Sequence, residues 1–242
     1  MDWELRSNFN TMKTRIFLLL LVLPSALSGQ SAKGGIFFGA NAANWSGDDV
    51  LFAEDMAYAM NELFETPDFG FTSESRYGFN AGFMVDYKLA KFISIQPEAS
   101  YSQKGAKFSG TGTLEFEGDF YPLEADMVWQ LDYVDLMLLI KISLTKSNIK
   151  PYIIGGPGVG YLVYSKLNVK VTLDDETDTE SSDADMFNKW DYHVNAGCGF
   201  DFSGSVRLEF RYYHFFKSAT KETESEYNLF NNVKSINLVF CF

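Results

Sequence analysis

The chain has 242 residues with 32 acidic against 20 basic side chains and a formal net charge of −12, a balance that gives nucleic acid no surface to bind. Aromatic residues reach 17%, with 23 Phe and 13 Tyr, high for a soluble domain and usual where rings meet lipid headgroups. The two cysteines, Cys198 and Cys241, cannot build a disulfide framework and are expected as free, buried thiols.

The chain begins with an export pattern. Lys13 and Arg15 precede an apolar run at 16–23, and Pro24, Ser25, Ala26, Ser28 and Gly29 follow. That run is too short to cross a bilayer as a helix. Residues 1–29 therefore read as a signal peptide cleaved between Ser28 and Gln30. Met12 is an alternative start, because acidic Asp2 and Glu4 suit a signal badly. No other stretch is long and apolar enough for a transmembrane helix, which excludes a helical inner-membrane protein. Residues 30–242 read as a single domain.

Period-two alternation then recurs eight times. The first strand, 34–44, sets Ile36, Phe38, Ala40 and Ala42 on one face. In 77–89, Phe79, Ala81, Phe83, Val85 and Tyr87 alternate with Gly78, Asn80, Gly82, Met84, Asp86 and Lys88. Strands at 92–103 and 129–144 repeat the scheme, with Leu136, Leu138 and Ile140 opposite Asp135 and Lys141. The fifth begins near Pro151 and alternates as far as Leu173, longer than a bilayer requires. Strands at 191–202 and 206–216 form a hairpin about Ser203-Gly204-Ser205, and the last, 232–242, faces Ile236, Leu238, Phe240 and Phe242 outward. Short connections near Lys91, at 145–149 and at 203–205 alternate with long ones at 45–76, 105–128, 165–190 and 217–231. The expectation is an all-β, eight-stranded antiparallel transmembrane β-barrel with short periplasmic turns and long extracellular loops, in the bacterial outer membrane.

The inward positions include Asp86, Lys88, Glu98, Asp135, Lys141, Asp201, Arg207, Glu209 and Arg211. Eight strands enclose a lumen only wide enough for side chains, and buried charges must pair, so these residues predict a salt-bridged plug and not a pore. Gly156-Pro157-Gly158-Val159-Gly160 lacks the Lys-Ser/Thr and the helix of a phosphate loop. Its glycines read as space for bulky neighbours, and Pro157 as the site of a bulge.

Residues 45–75, 106–127, 165–190 and 218–231 hold 23 acidic and five basic side chains, so charge separates along the barrel axis. The densest patch, with Asp174, Asp175, Glu176, Asp178, Asp183 and Asp185, is the one candidate for weakly bound Ca²⁺ or Mg²⁺. No other metal and no organic cofactor is expected. In the first loop Phe52, Met56, Met60, Leu63 and Phe64 recur at helical spacing behind Asp48 and Asp49, which predicts a helix over 49–65.

Asp132-Tyr-Val-Asp-Leu-Met-Leu-Leu-Ile-Lys141 and Lys150-Pro-Tyr-Ile-Ile-Gly-Gly-Pro-Gly-Val-Gly-Tyr161, with Gly78-Phe-Asn-Ala-Gly82 and Ile95-Gln-Pro-Glu-Ala-Ser-Tyr101, resemble the PorT-like outer-membrane β-barrel family over about 34–242. The resemblance implies the barrel and no reaction. The expected role is structural or surface-binding, with outer-membrane lipid, the barrel-assembly machinery and an envelope protein as partners. Ile236, Leu238, Phe240 and Phe242 form the C-terminal assembly signal. The alternatives are an accessory to transport or protein secretion, or a lipid-modifying enzyme built on His214 and Ser218. The second of these lacks an evident carboxylate to orient the imidazole.

Overall fold

The computed structural model describes residues 32–242 apart from residues 65, 67, 146, 147, 222 and 224; the expected signal peptide lies outside the described residues. In chain order the elements are β1 (Ala32–Gly47), α1 (Asp49–Phe64), β2 (Gly70–Glu74), β3 (Arg76–Lys88), β4 (Ile93–Phe116), β5 (Asp119–Ser143), β6 (Ile149–Leu173), β7 (Glu176–Asp183), β8 (Trp190–Phe202), β9 (Val206–Phe215) and β10 (Leu229–Cys241). Eight strands make a ring in the order β1, β3, β4, β5, β6, β8, β9, β10, all antiparallel to their neighbours. The ring closes where β10 returns to β1, in register from Gly35 opposite Cys241 to Gly47 opposite Leu229.

Alternation assigns the two surfaces. Ile36, Phe38, Phe83, Leu136, Leu138, Ile140, Phe210 and Ile236 are exposed on the outside. Between them Phe37, Asn80, Met84, Asp135, Leu139, Arg211 and Asn237 are buried within. An apolar outer band around a polar interior is stable only if the outer solvent is hydrocarbon. The two cysteines are free, as expected, but burial is not their common state: Cys198 is exposed on the outer band because it shares the parity of Val194 and Phe200.

The long connections differ from expectation. Residues 105–116 and 119–128 continue β4 and β5, paired without a break from Ile93 opposite Ile142 up to Phe116 opposite Asp119. Glu117 and Gly118, with φ of 55° and 90°, make the two-residue turn, the backbone that a tight hairpin of this hand requires. The third connection is likewise a hairpin of β6 and β7, turning at Asp174 and Asp175. The first carries α1, which ends at Phe64, and β2, which adds to the edge of β4. Among the described residues β7 pairs only with β6, and its acidic side chains face solvent, which keeps that open strand edge from recruiting another.

Pro157 makes no bulge. Met137 faces Gly158 and Ile140 faces Gly155 in one continuous register, so the missing proline N–H leaves a gap without an inserted residue. The register shift lies instead at Asp132 and Tyr133.

Leu138 stands at the middle of the outward run Val134–Ile142 of β5. Leu138→Arg should cost about 2–4 kcal/mol of folding free energy in lipid vesicles, as for a cation near the bilayer midplane. Leu51→Arg, on the exposed side of α1, should change it by less than about 0.5 kcal/mol. Equilibrium denaturant unfolding of both variants checks the contrast.

Candidate functional site

The lumen is divided into two levels. In the lower level a single hydrogen-bonded chain of side chains crosses the barrel. Asp86 on β3 accepts from Lys141 on β5 and from Arg207 on β9, the latter at 2.5 Å. Arg207 also donates to Gln96 at 3.1 Å and contacts Asp201 at 3.3 Å. Gln96 donates to Glu98 at 2.7 Å, and Arg211 grips Glu98 through both terminal nitrogens at 2.6 and 2.7 Å. The Arg211 Nε donates to Glu209 at 2.7 Å, and Glu209 accepts from the Tyr152 hydroxyl at 2.6 Å. β4 and β9 stand opposite one another in the ring, so the Arg211–Glu98 pair spans its full width. Both side chains are fully buried, and the fork of the guanidinium matches the carboxylate in a bidentate pair.

Of the residues expected in this network, Asp86, Glu98, Asp135, Lys141, Arg207, Glu209 and Arg211 are buried in the lumen. Asp201 is part-buried at its lower edge. Lys88 is not in the lumen: it is exposed, because β3 ends there and its side chain reaches the periplasmic rim. Lys104, Arg76, Asp132, Asp191 and His193 are buried as well, beyond the nine charges expected to point inward. Lys104 donates to Asp135 at 2.8 Å and sits 4.3 and 4.6 Å from the ring centroids of Tyr133 and Phe215. Arg76 lies 3.9 Å from Asp132, and Asp191 accepts from Asn231 at 3.0 Å. His193 packs against Phe215 with ring centroids 4.8 Å apart. Gly158 and Gly160 leave the room for this layer, since a Cβ there would collide with His193 and with Asp135.

The upper level is an aromatic stopper. Trp45, 1% exposed, has the rings of Phe187, Phe108, Trp129 and Phe52 at 5.6, 5.8, 5.8 and 6.0 Å, and its indole N–H donates to Asn231 at 3.2 Å. Phe52 enters from α1 with Ala53, while Met60 and Phe64 pack on Phe69 and Leu123. Leu63 does not follow the predicted stripe: it is 72% exposed, because the last turn of α1 meets the barrel through Met60 and Phe64 instead. The helix is fastened to the fourth connection. The Asn228 N–H donates to Asp48 at 2.8 Å, and the Tyr227 hydroxyl donates to Asp55, a bond that pushes the tyrosine pKa up to about 12.

The remaining candidates stay apart. The acidic side chains of the β6–β7 hairpin are all exposed; Asp178 and Asp183 lie on opposite faces of β7, and no group of three ligating side chains gathers among the described residues. His214 faces outward against Phe216, with ring centroids 5.2 Å apart. The Ser218 hydroxyl instead accepts from the Leu229 N–H at 3.2 Å and lies 2.8 Å from the Thr220 hydroxyl. Ile236, Leu238, Phe240 and Phe242 all project from the outer face.

The sequence pattern of the outer membrane protein beta-barrel domain family matches residues 29–220. The chain belongs to this family. It is a protein of the bacterial outer membrane. No curated protein matches this outer-membrane barrel in sequence. Similar solved structures include Neisserial surface protein A, 12% identical, covering 88% of this chain and 100% of that one, with a TM-score of 0.41. Ail, the attachment invasion locus protein of Yersinia pestis, is 11% identical over 88% of this chain and 100% of its own, with a TM-score of 0.37. The outer membrane enzyme PagL is 9% identical over 84% and 98%, with a TM-score of 0.36.

Arg211→Ala leaves Glu98 and Glu209 buried without their shared cation. It should destabilise the barrel by about 3–5 kcal/mol, the cost of breaking a buried ion pair from one side. A matching fall in denaturant midpoint, with the outer-face variant Phe210→Leu costing less than about 1.5 kcal/mol, would show the difference between the two faces of β9.

Proposed function

We propose that the barrel is a closed membrane anchor that holds its hairpins and helix at the cell surface, in a structural or surface-binding role and without catalysis. The observation that carries this reading is the double closure of the lumen. Arg211 and Glu98 bridge it in the membrane, and the Trp45 cluster fills it above. A solute would have to break both. The reading without catalysis draws on the contacts of His214 and Ser218, which go to Phe216 and to Leu229 and Thr220 instead of to each other, whereas a nucleophile needs its base within hydrogen-bond reach.

A second reading, an accessory to transport or protein secretion, draws on the resemblance to the PorT-like family and on the outer side of α1. Val50, Leu51, Tyr58 and Leu63 are exposed there, an apolar surface suited to an envelope protein partner. In either role the outward side chains of β10 serve as the signal to the barrel-assembly machinery.

Two measurements test these readings. Wild-type protein in planar bilayers should give no stable conductance steps at either polarity, and persistent steps would exclude the closed anchor. Deleting Phe242, whose side chain projects outward beyond the last paired residue, should lower the folded, heat-modifiable fraction in the outer membrane more than it lowers total expression. An unchanged folded fraction would remove the C-terminal signal.

A further inference from the structure

The periplasmic mouth holds a cavity of about 350 Å³ that the closed-anchor reading does not use. Its floor is the lower end of the lumen network, where Lys141 and Arg207 already share Asp86 and Arg207 reaches Asp201. Its walls carry Lys33, Lys88, Lys91 and Lys150. These four lysines come from three places on the rim: the start of β1, the β3–β4 turn and the start of β6. None has a carboxylate within 4.0 Å among the described residues. Six cations thus face two carboxylates, and both carboxylates are engaged by the floor.

Two of the wall lysines have partners. Lys33 donates to the Gly204 carbonyl at 3.0 Å, which ties it to the β8–β9 turn. The Lys91 ammonium lies 5.5 Å from the centroid of the Phe92 ring. Phe92 lines the cavity and is partly exposed at the rim, at the level where aromatic rings meet headgroups. The opening therefore borders the inner leaflet as well as the periplasm. A concave surface of one sign concentrates counter-ions. Ammonium groups arriving from several directions around a small volume match a tetrahedral anion, which offers oxygens all round, better than a planar carboxylate. The volume lies at the small end of ligand pockets and suits a headgroup-sized group.

We propose that the periplasmic mouth binds a phosphate-bearing anion, either the headgroup of an anionic inner-leaflet phospholipid or a free phosphate ester. The test is calorimetric titration of the full refolded chain in neutral detergent at low ionic strength. The titrants are glycerol 3-phosphate, dihexanoyl phosphatidylglycerol and dihexanoyl phosphatidylcholine. The variants are Lys33→Gln/Lys150→Gln, the independent rim pair Lys88→Gln/Lys91→Gln, and a control of equal charge change on the outer hairpin, Lys166→Gln/Lys170→Gln. Heat-modifiable gel mobility verifies folding of each. Each rim pair should weaken anion binding by more than tenfold, from about fivefold per lysine, the factor a charge about 4 Å away is worth in water. The outer-hairpin control should bind as wild type. Binding of the glycerol lipid above the choline lipid identifies a headgroup as the source, and binding of glycerol 3-phosphate alone identifies a free ester. No binding of either anion, equal weakening by the outer-hairpin control, or binding of both lipids with equal affinity would overturn the proposal.

Discussion

Inside a bilayer no water can satisfy a strand's N–H and C=O groups, so every strand needs two neighbours. The return of β10 to β1 provides the last of them, and the rest of the structure follows from it. A closed ring of eight strands has an outside that must suit hydrocarbon and an inside too narrow for bulk water. The inside must then be filled by the alternate residues of the same strands. In this chain those residues are Asp86, Glu98, Lys141, Arg207, Glu209 and Arg211, so closing the backbone also obliges the charges to pair. Ring closure and the salt-bridged interior are one constraint seen in two places.

Much of this was legible because a strand has a period of two. Leu136, Leu138 and Ile140 against Asp135 and Lys141 can be sorted without knowing any partner. The helix was legible from Phe52, Met56 and Met60 behind an acidic cap, and its start at Asp49 follows. Residues 105–128 were not. Gly105, Gly110, Gly112 and the Ser and Thr between them look like a loop, and only the partner strand makes them a hairpin. Lys104 fell one residue beyond the strand end read from alternation. Lys88 had the right parity but stands at the rim, where parity no longer decides burial. Trp45 carried no local signal at all: its neighbours come from α1, β4, β5 and the 184–189 connection, and only tertiary structure assembles them.

The two levels of the lumen answer different environments. In the membrane a polar network fixed by directional bonds defines the separation of β4 and β9, and apolar side chains such as Met137, Leu139 and Ile154 fill the space around it. Above it the β4–β5 and β6–β7 hairpins leave the lipid, and aromatic rings with no net charge close the mouth beneath α1. Acidic side chains then collect outside and basic ones at the opposite rim, so the molecule carries a dipole of charge along its axis.

The long reach of the salt bridges bears on how the barrel is made. Arg207 meets Asp86 from 121 residues away, and Arg211 meets Glu98 from 113. Until β9 arrives, Glu98 has no cation, and a partial sheet inserted in lipid would carry it bare at a cost of several kcal/mol. Strand-by-strand insertion from the N-terminus is therefore uphill. The chain must stay outside the hydrocarbon until its last strand exists, then close and neutralise itself in one cooperative step. Such non-local closure is slow by the ordinary scaling of folding rate with contact separation. The same arrangement rejects unfinished chains, because truncation before β9 removes the cation of Glu98 on β4 and one of the two that Asp86 on β3 shares.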